Sequence, residues 1–107
     1  MDNVIYEYKE WGDYMINMGI GLNYTNVPKS IVNIAETELN KLGYRLILIS
    51  RFSRHPADTY LWMVMGRENN REIYAVWLLN TSLGGLHNGD YELDFKSALA
   101  TFVNRLN

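Results

Sequence analysis

The chain has 107 residues, no cysteine, and ten Lys and Arg against twelve Asp and Glu, for a formal charge of −2. That length makes a single domain, 1–107; the 48% hydrophobic and 21% charged fractions exclude a disordered chain, and the missing cysteines exclude disulfides and thiolate metal sites. The charge argues against broad electrostatic binding of nucleic acid, no apolar run reaches the roughly 18 residues of a spanning helix, and Met1-Asp2-Asn3 lacks the start of a signal peptide, so a soluble cytoplasmic protein without membrane contact is expected.

In chain order, residues 3–11 are ambiguous. Val4, Tyr8, Trp11 and Met15 keep helical spacing, whereas Trp11-Gly12-Asp13 also suits a hairpin turn. Residues 14–24 alternate strictly, with Tyr14, Ile16, Met18, Ile20, Leu22 and Tyr24 on one face and Met15, Asn17, Gly19, Gly21 and Asn23 on the other. Period two over that length predicts a strand. Pro28 to Leu42 reads as a helix with Ile31, Ile34, Ala35, Leu39 and Leu42 as its apolar stripe, Pro28 in its first turn and Gly43 as a left-handed C-terminal cap.

Three strands follow, Tyr44–Phe52, Thr59–Arg67 and Glu72–Asn80. They are apolar on both alternating faces: Tyr60, Trp62 and Val64 on one, Leu61, Met63 and Met65 on the other. A sheet with one wet face alternates apolar and polar residues, so both sides need a cover. With the helices on one face, the strand at 14–24 or a second copy of the chain, as a homodimer, is expected on the other. A two-residue Asn69-Asn70 turn places Glu68 by Arg71 and Arg67 by Glu72, and it sets Trp62 opposite Trp77, Met65 by Tyr74, Met63 by Val76 and Leu61 by Leu78. Gly84-Gly85 marks a loop or bulge and Asn88-Gly89 a hairpin turn. Asp94 then caps a last helix whose apolar face is Phe95, Ala98, Leu99, Phe102, Val103 and Leu106. The expected class is α+β: an N-terminal β element, then αβββα, an antiparallel sheet packed with two helices.

Candidate chemistry is sparse. His55 and His87 have no carboxylate or second histidine at metal-site spacing, and read as a loop residue and a turn-flanking residue. Gly84 to Asp90 lacks the Lys and Ser/Thr of a phosphate loop, and Asp90, Glu92 and Asp94 would repel phosphate and lack the spacing of a calcium loop. Neither metal nor cofactor is expected, nor catalysis. Arg45, Arg51, Arg54 and His55, with Lys41 near, form a local basic cluster that reads first as solvated surface. The compositional excess is aromatic, with eight tyrosines and three tryptophans. Tyr and Trp are favoured where a surface excludes water from a partner, and Trp11, Asp13, Tyr14, Asp90, Tyr91 and Glu92 combine them with carboxylates in turn-rich segments, where a fold least needs large aromatics. These six are the candidate partner-binding residues.

The helix, three strands and helix of residues 28–107 resemble the double-stranded-RNA-binding domain in order. That family begins its second helix with lysines; here the stretch is Glu92-Leu93-Asp94-Phe95-Lys96, in which Lys96 alone is basic. What that resemblance implies is an RNA-binding module, with Lys41, Arg45, Arg51 and Arg54 as its cations. Tyr74-Ala-Val-Trp77-Leu-Leu-Asn80, Gly84-Gly85, Gly89-Asp-Tyr91 and Phe102-Val-Asn-Arg105 look like small uncharacterised proteins of Gram-positive bacteria and their phages. That resemblance covers the last third of the chain and implies a mobile-element setting, in which inhibitors of host defence, including anti-CRISPR proteins, are common. The leading expectation is therefore a small non-enzymatic inhibitor that binds a protein, such as a host defence nuclease complex, sterically through an acidic-aromatic surface. The alternatives are RNA binding, or a small-ligand domain roofed by the bare Gly19/Gly21 face.

Overall fold

Apolar side chains on both faces of the central strands force helices to both sides of the sheet. The computed structural model describes residues 27–52 and 60–106; the segments at 3–11 and 14–24, and with them Trp11, Asp13 and Tyr14, lie outside these, as do Arg54 and His55. The elements are α1 (Lys29–Lys41), β1 (Tyr44–Arg51), β2 (Leu61–Glu68), β3 (Tyr74–Asn80), β4 (Leu86–Leu93) and α2 (Phe95–Leu106). The sheet is antiparallel throughout, in the order β1-β2-β3-β4. The class is α+β as expected, with a fourth strand between β3 and the last helix.

Two separate cores result. Val32, Ala35 and Leu39 of α1 pack with Tyr44, Leu46, Ile49, Trp62, Val64, Ala75, Trp77 and Leu79 on one face. Ala98, Leu99 and Phe102 of α2 pack with Ile47, Leu48, Met63, Met65, Tyr74 and Val76 on the other. The expectation of both helices on one face is thus corrected: α2 lies on the side opposite α1, where Ala98, Leu99 and Phe102 bury the second apolar row. The buried stripe of α1 is also turned from the one expected. Val32 is inside with Ala35 and Leu39, whereas Ile34 and Leu42 are exposed. Pro28 stands just ahead of the helix, where its carbonyl accepts from the N–H groups of Ile31 and Val32. Gly43 ends it at φ 84°, as its position predicts. The α2 face is as read, with Phe95, Val103 and Leu106 packed at its margins.

The β2–β3 register differs from expectation by two residues. Val64, not Trp62, faces Trp77, and Trp62 faces Leu79; likewise Met65 pairs with Val76, Met63 with Leu78, Leu61 with Asn80 and Arg67 with Tyr74. The turn has four residues, 69–72, closed by the Glu68 N–H donating to the Ile73 carbonyl at 2.8 Å. Glu68 and Arg71 do meet, bidentately at 2.6 and 2.7 Å, but within the turn rather than across strands. Packing decides the shift. A Cβ on Gly66 would lie 3.3 Å from the Trp77 ring and 3.0 Å from Leu39, so the indole needs that bare position beside it. A shift of two preserves which face each side chain takes, which is why both cores contain the residues expected of them.

Asn88-Gly89, expected at a hairpin turn, instead lies inside β4. The turn before β4 is made by Asn80, whose side-chain oxygen accepts from the N–H groups of Ser82 and Leu83, both at 2.9 Å, and by Gly84 and Gly85, both at φ 87°. The β3–β4 register then slips twice: Leu78 faces His87, Val76 faces Asp90 and Tyr74 faces Leu93. Each interval carries one extra residue on β4, and each contains one left-handed residue, Asn88 at φ 54° and Glu92 at φ 58°. These are β-bulges. An Asn-Gly pair suits a bulge as well as a turn, because both need the left-handed backbone that Asn tolerates.

Phe102 is fully buried at the centre of the α2 core. Phe102→Ala is expected to cost about 3–5 kcal/mol in urea unfolding.

Candidate functional site

The two bulges decide where β4 presents its side chains. From Leu86, which packs on the α1 face, strict alternation would turn Tyr91 toward α2. The bulge at Asn88 reverses that. Tyr91 instead reaches Trp77: the indole N–H donates to the Tyr91 hydroxyl at 2.8 Å, and the rings meet edge-on at 5.6 Å. Trp77 also meets the Tyr44 ring edge-on at 5.1 Å. The Tyr91 ring also lies over Gly89, where a Cβ would come within 2.6 Å of it. The bulge at Glu92 then returns Leu93 to the α2 core.

Of the six candidate partner residues, the described ones are Asp90, Tyr91 and Glu92, consecutive on this edge strand and each held by a different neighbour. Asp90 pairs with Arg105 of α2 at 3.1 Å, and Glu92 lies 3.6 Å from Arg71. Tyr91 is 53% exposed although its hydroxyl is tied to a buried indole. The expectation that the fold has little use for this aromatic is corrected, since it serves the core and the surface at once. Arg71, Arg105 and Glu68 complete the arrangement. The Glu68–Arg71 pair was legible from complementary charges across the turn, whereas nothing in the sequence marked Arg105 as a partner for β4.

Asp94, the third carboxylate of this stretch, caps α2 by accepting from the Ser97 N–H at 2.7 Å. His87 sits 3.1 Å from the Gly84 carbonyl, beside the turn. The basic cluster is partly engaged: Lys41 pairs with Glu38 at 3.1 Å, and the Arg51 guanidinium lies 5.1 Å above the Trp62 ring. Among the described residues no three His, Cys, Asp or Glu side chains gather to hold a metal ion, and no helix is long and apolar enough to cross a membrane.

The site's electrostatics set a pH window. The Arg71 hydrogen bond holds the Glu68 carboxyl below its ordinary value, and the Ser97 N–H does the same for Asp94. Burial, reinforced by Glu68 and Glu92, pushes the Tyr44 phenol up. A lowered carboxylate contributes stability that is present above its unfolded value of about 4 and lost as the pH falls through its folded one. A raised phenol contributes stability that is present below its unfolded value of about 10 and lost as the pH rises beyond it. Urea midpoints measured against pH are expected to form a plateau falling away at both ends, with the acid limb shallower in Asp94→Ala.

Trp77 is buried, so removing its acceptor leaves an indole N–H without a partner. Tyr91→Phe is expected to cost about 1–3 kcal/mol in urea unfolding, with a change in the near-ultraviolet circular dichroism of the stacked rings. No protein-family model, curated protein or solved structure matches the chain.

Proposed function

We propose that the chain binds another protein through the bulged edge strand β4 and does no chemistry of its own. The observation that carries this is Glu92. It is 64% exposed, yet it occupies a left-handed backbone at φ 58°, where Gly or Asn would sit with less strain. Strain of this kind collects at functional positions, and here it presents a carboxylate beside the half-exposed Tyr91 ring. An aromatic locked by its own hydrogen bond loses little entropy on docking, and Tyr is favoured among the residues that dominate binding energy. Leu83, 80% exposed in the turn before β4, adds apolar surface on the same hairpin.

The partner this surface suits is basic. Glu92 is held by Arg71 in an exposed pair worth about 0–1 kcal/mol, so a partner's Lys or Arg displaces it at small cost, and Asp90, itself half-exposed beside the more buried Arg105, adds its charge to the same surface. The two bulges interrupt the regular edge, which disfavours addition of a further strand; recognition then proceeds through side chains. A groove that binds nucleic acid is a basic surface of this type. Together with the mobile-element resemblance, this supports the finer proposal of a cytoplasmic, phage-type inhibitor that blocks a bacterial defence nuclease, CRISPR effectors included, by occupying its groove.

Glu92→Gly separates fold from function. The variant is expected to be more stable than the wild type by up to about 1 kcal/mol in urea unfolding. It should nevertheless lose the protein that the immobilised wild-type chain retains from a host lysate. Equal retention by the variant would show that the carboxylate is not used, and RNA retained with a steep salt dependence would replace a protein partner with a nucleic acid.

A further inference from the structure

We propose that a second site, on the α2 side of the sheet and adjoining the β4 docking surface, binds a small carboxylic acid with an apolar body. A pocket of about 270 Å³ opens between α2 and the Asn88 bulge, lined by Phe52, Met63, Leu78, Asn88 and Arg105. Its floor is apolar: Met63 belongs to the α2 core, and Phe52 and Leu78 are half-buried against that core. Its charged group is the Arg105 guanidinium. Nη2 donates to the Asn88 carbonyl and pairs with Asp90 at 3.1 Å. Nη1 faces the Met63 sulfur at 3.9 Å, and a thioether is a weak acceptor.

An apolar cavity with one poorly satisfied, charged donor at its wall matches an amphiphilic acid. The ligand's body takes the place of water over Phe52, Met63 and Leu78, while its carboxylate gives Nη1 the charged acceptor that Met63 cannot supply. A cavity of about 150 Å³ accommodates benzene, so this pocket has room for one ring and a short chain. Asp90 already neutralises part of the guanidinium charge and therefore opposes the ligand. That opposition gives the proposal a signature which simple hydrophobic adsorption lacks.

The test follows the Met63 methyl resonance in the full chain, titrated with sodium 4-phenylbutyrate and, separately, with the neutral 4-phenylbutanol. The acid is expected to give a saturating shift and to bind at least about tenfold more tightly than the alcohol, as a charge-assisted hydrogen bond implies. Arg105→Gln should abolish that preference, Asp90→Asn should strengthen binding of the acid several-fold, and Leu78→Trp, which fills the pocket, should remove both responses. If Arg105→Gln fails to fold, Asp90→Asn and Leu78→Trp still decide. Equal affinity for acid and alcohol, a shift that does not saturate, weaker or unchanged binding of the acid in Asp90→Asn, or retained binding in Leu78→Trp would overturn the proposal.

Discussion

The seating of the Trp77 indole governs more of this structure than any other contact. The ring occupies the space left by Gly66 and meets both Tyr44 and Tyr91 edge-on. Its N–H is satisfied by the Tyr91 hydroxyl. Three strand relationships follow from that one side chain. Gly66 beside Trp77 fixes the β2–β3 register, Tyr44 ties β1 to the same cluster, and Tyr91 requires the first β4 bulge. A buried indole N–H without an acceptor is costly, so the bulge and the core stabilise each other. Trp62 on the same face makes the contrast: its indole N–H finds no acceptor among the described residues, and the strand pairing around it carries no comparable irregularity.

A sheet buried on both faces is the second constraint. Antiparallel sheets commonly leave one face in water; this one cannot, because the alternate residues of β2 and β3 are apolar on either side. The helices before and after the sheet meet this need from opposite sides, and among the described strands β1 forms one edge and the polar β4 the other. The β4 edge is irregular. Its bulges keep Leu93 and Tyr91 packed on opposite faces while turning Asp90 and Glu92 toward solvent.

Both proposed sites lie where those demands meet. Arg105 binds the carbonyl of the bulged Asn88 and the Asp90 carboxylate, coupling α2 to the strand that carries the acidic-aromatic surface. The proposed docking surface and the neighbouring pocket thus adjoin at the Asp90–Arg105 pair, Asp90 belonging to the first and Arg105 lining the second. Occupation of the pocket by an acid would loosen Asp90 from Arg105 and free it for a basic partner, so the two proposed sites are positioned to influence each other.

The sequence by itself determined the two helices, the three central strands and the faces of those strands and of α2, but not the strand β4 or the turned stripe of α1. The stripe of α2, the double apolar character of β2 and β3, the cap at Asp94 and the stop at Gly43 are local patterns, set by spacing and backbone preference within a few residues. The tertiary structure alone decided how the elements combine. Both turn misreadings share that origin: Asn69-Asn70 and Asn88-Gly89 have the backbone tolerance of tight turns, but that tolerance serves a longer turn or a bulge equally well. What chose between them was the fit of Trp77 beside Gly66 and under Tyr91, which involves residues up to 25 positions apart. The candidate site divides in the same way. Asp90, Tyr91 and Glu92 were legible as acidic and aromatic neighbours, whereas their division between two faces and their arginine partners depend on two bulges that only strand pairing and side-chain packing specify.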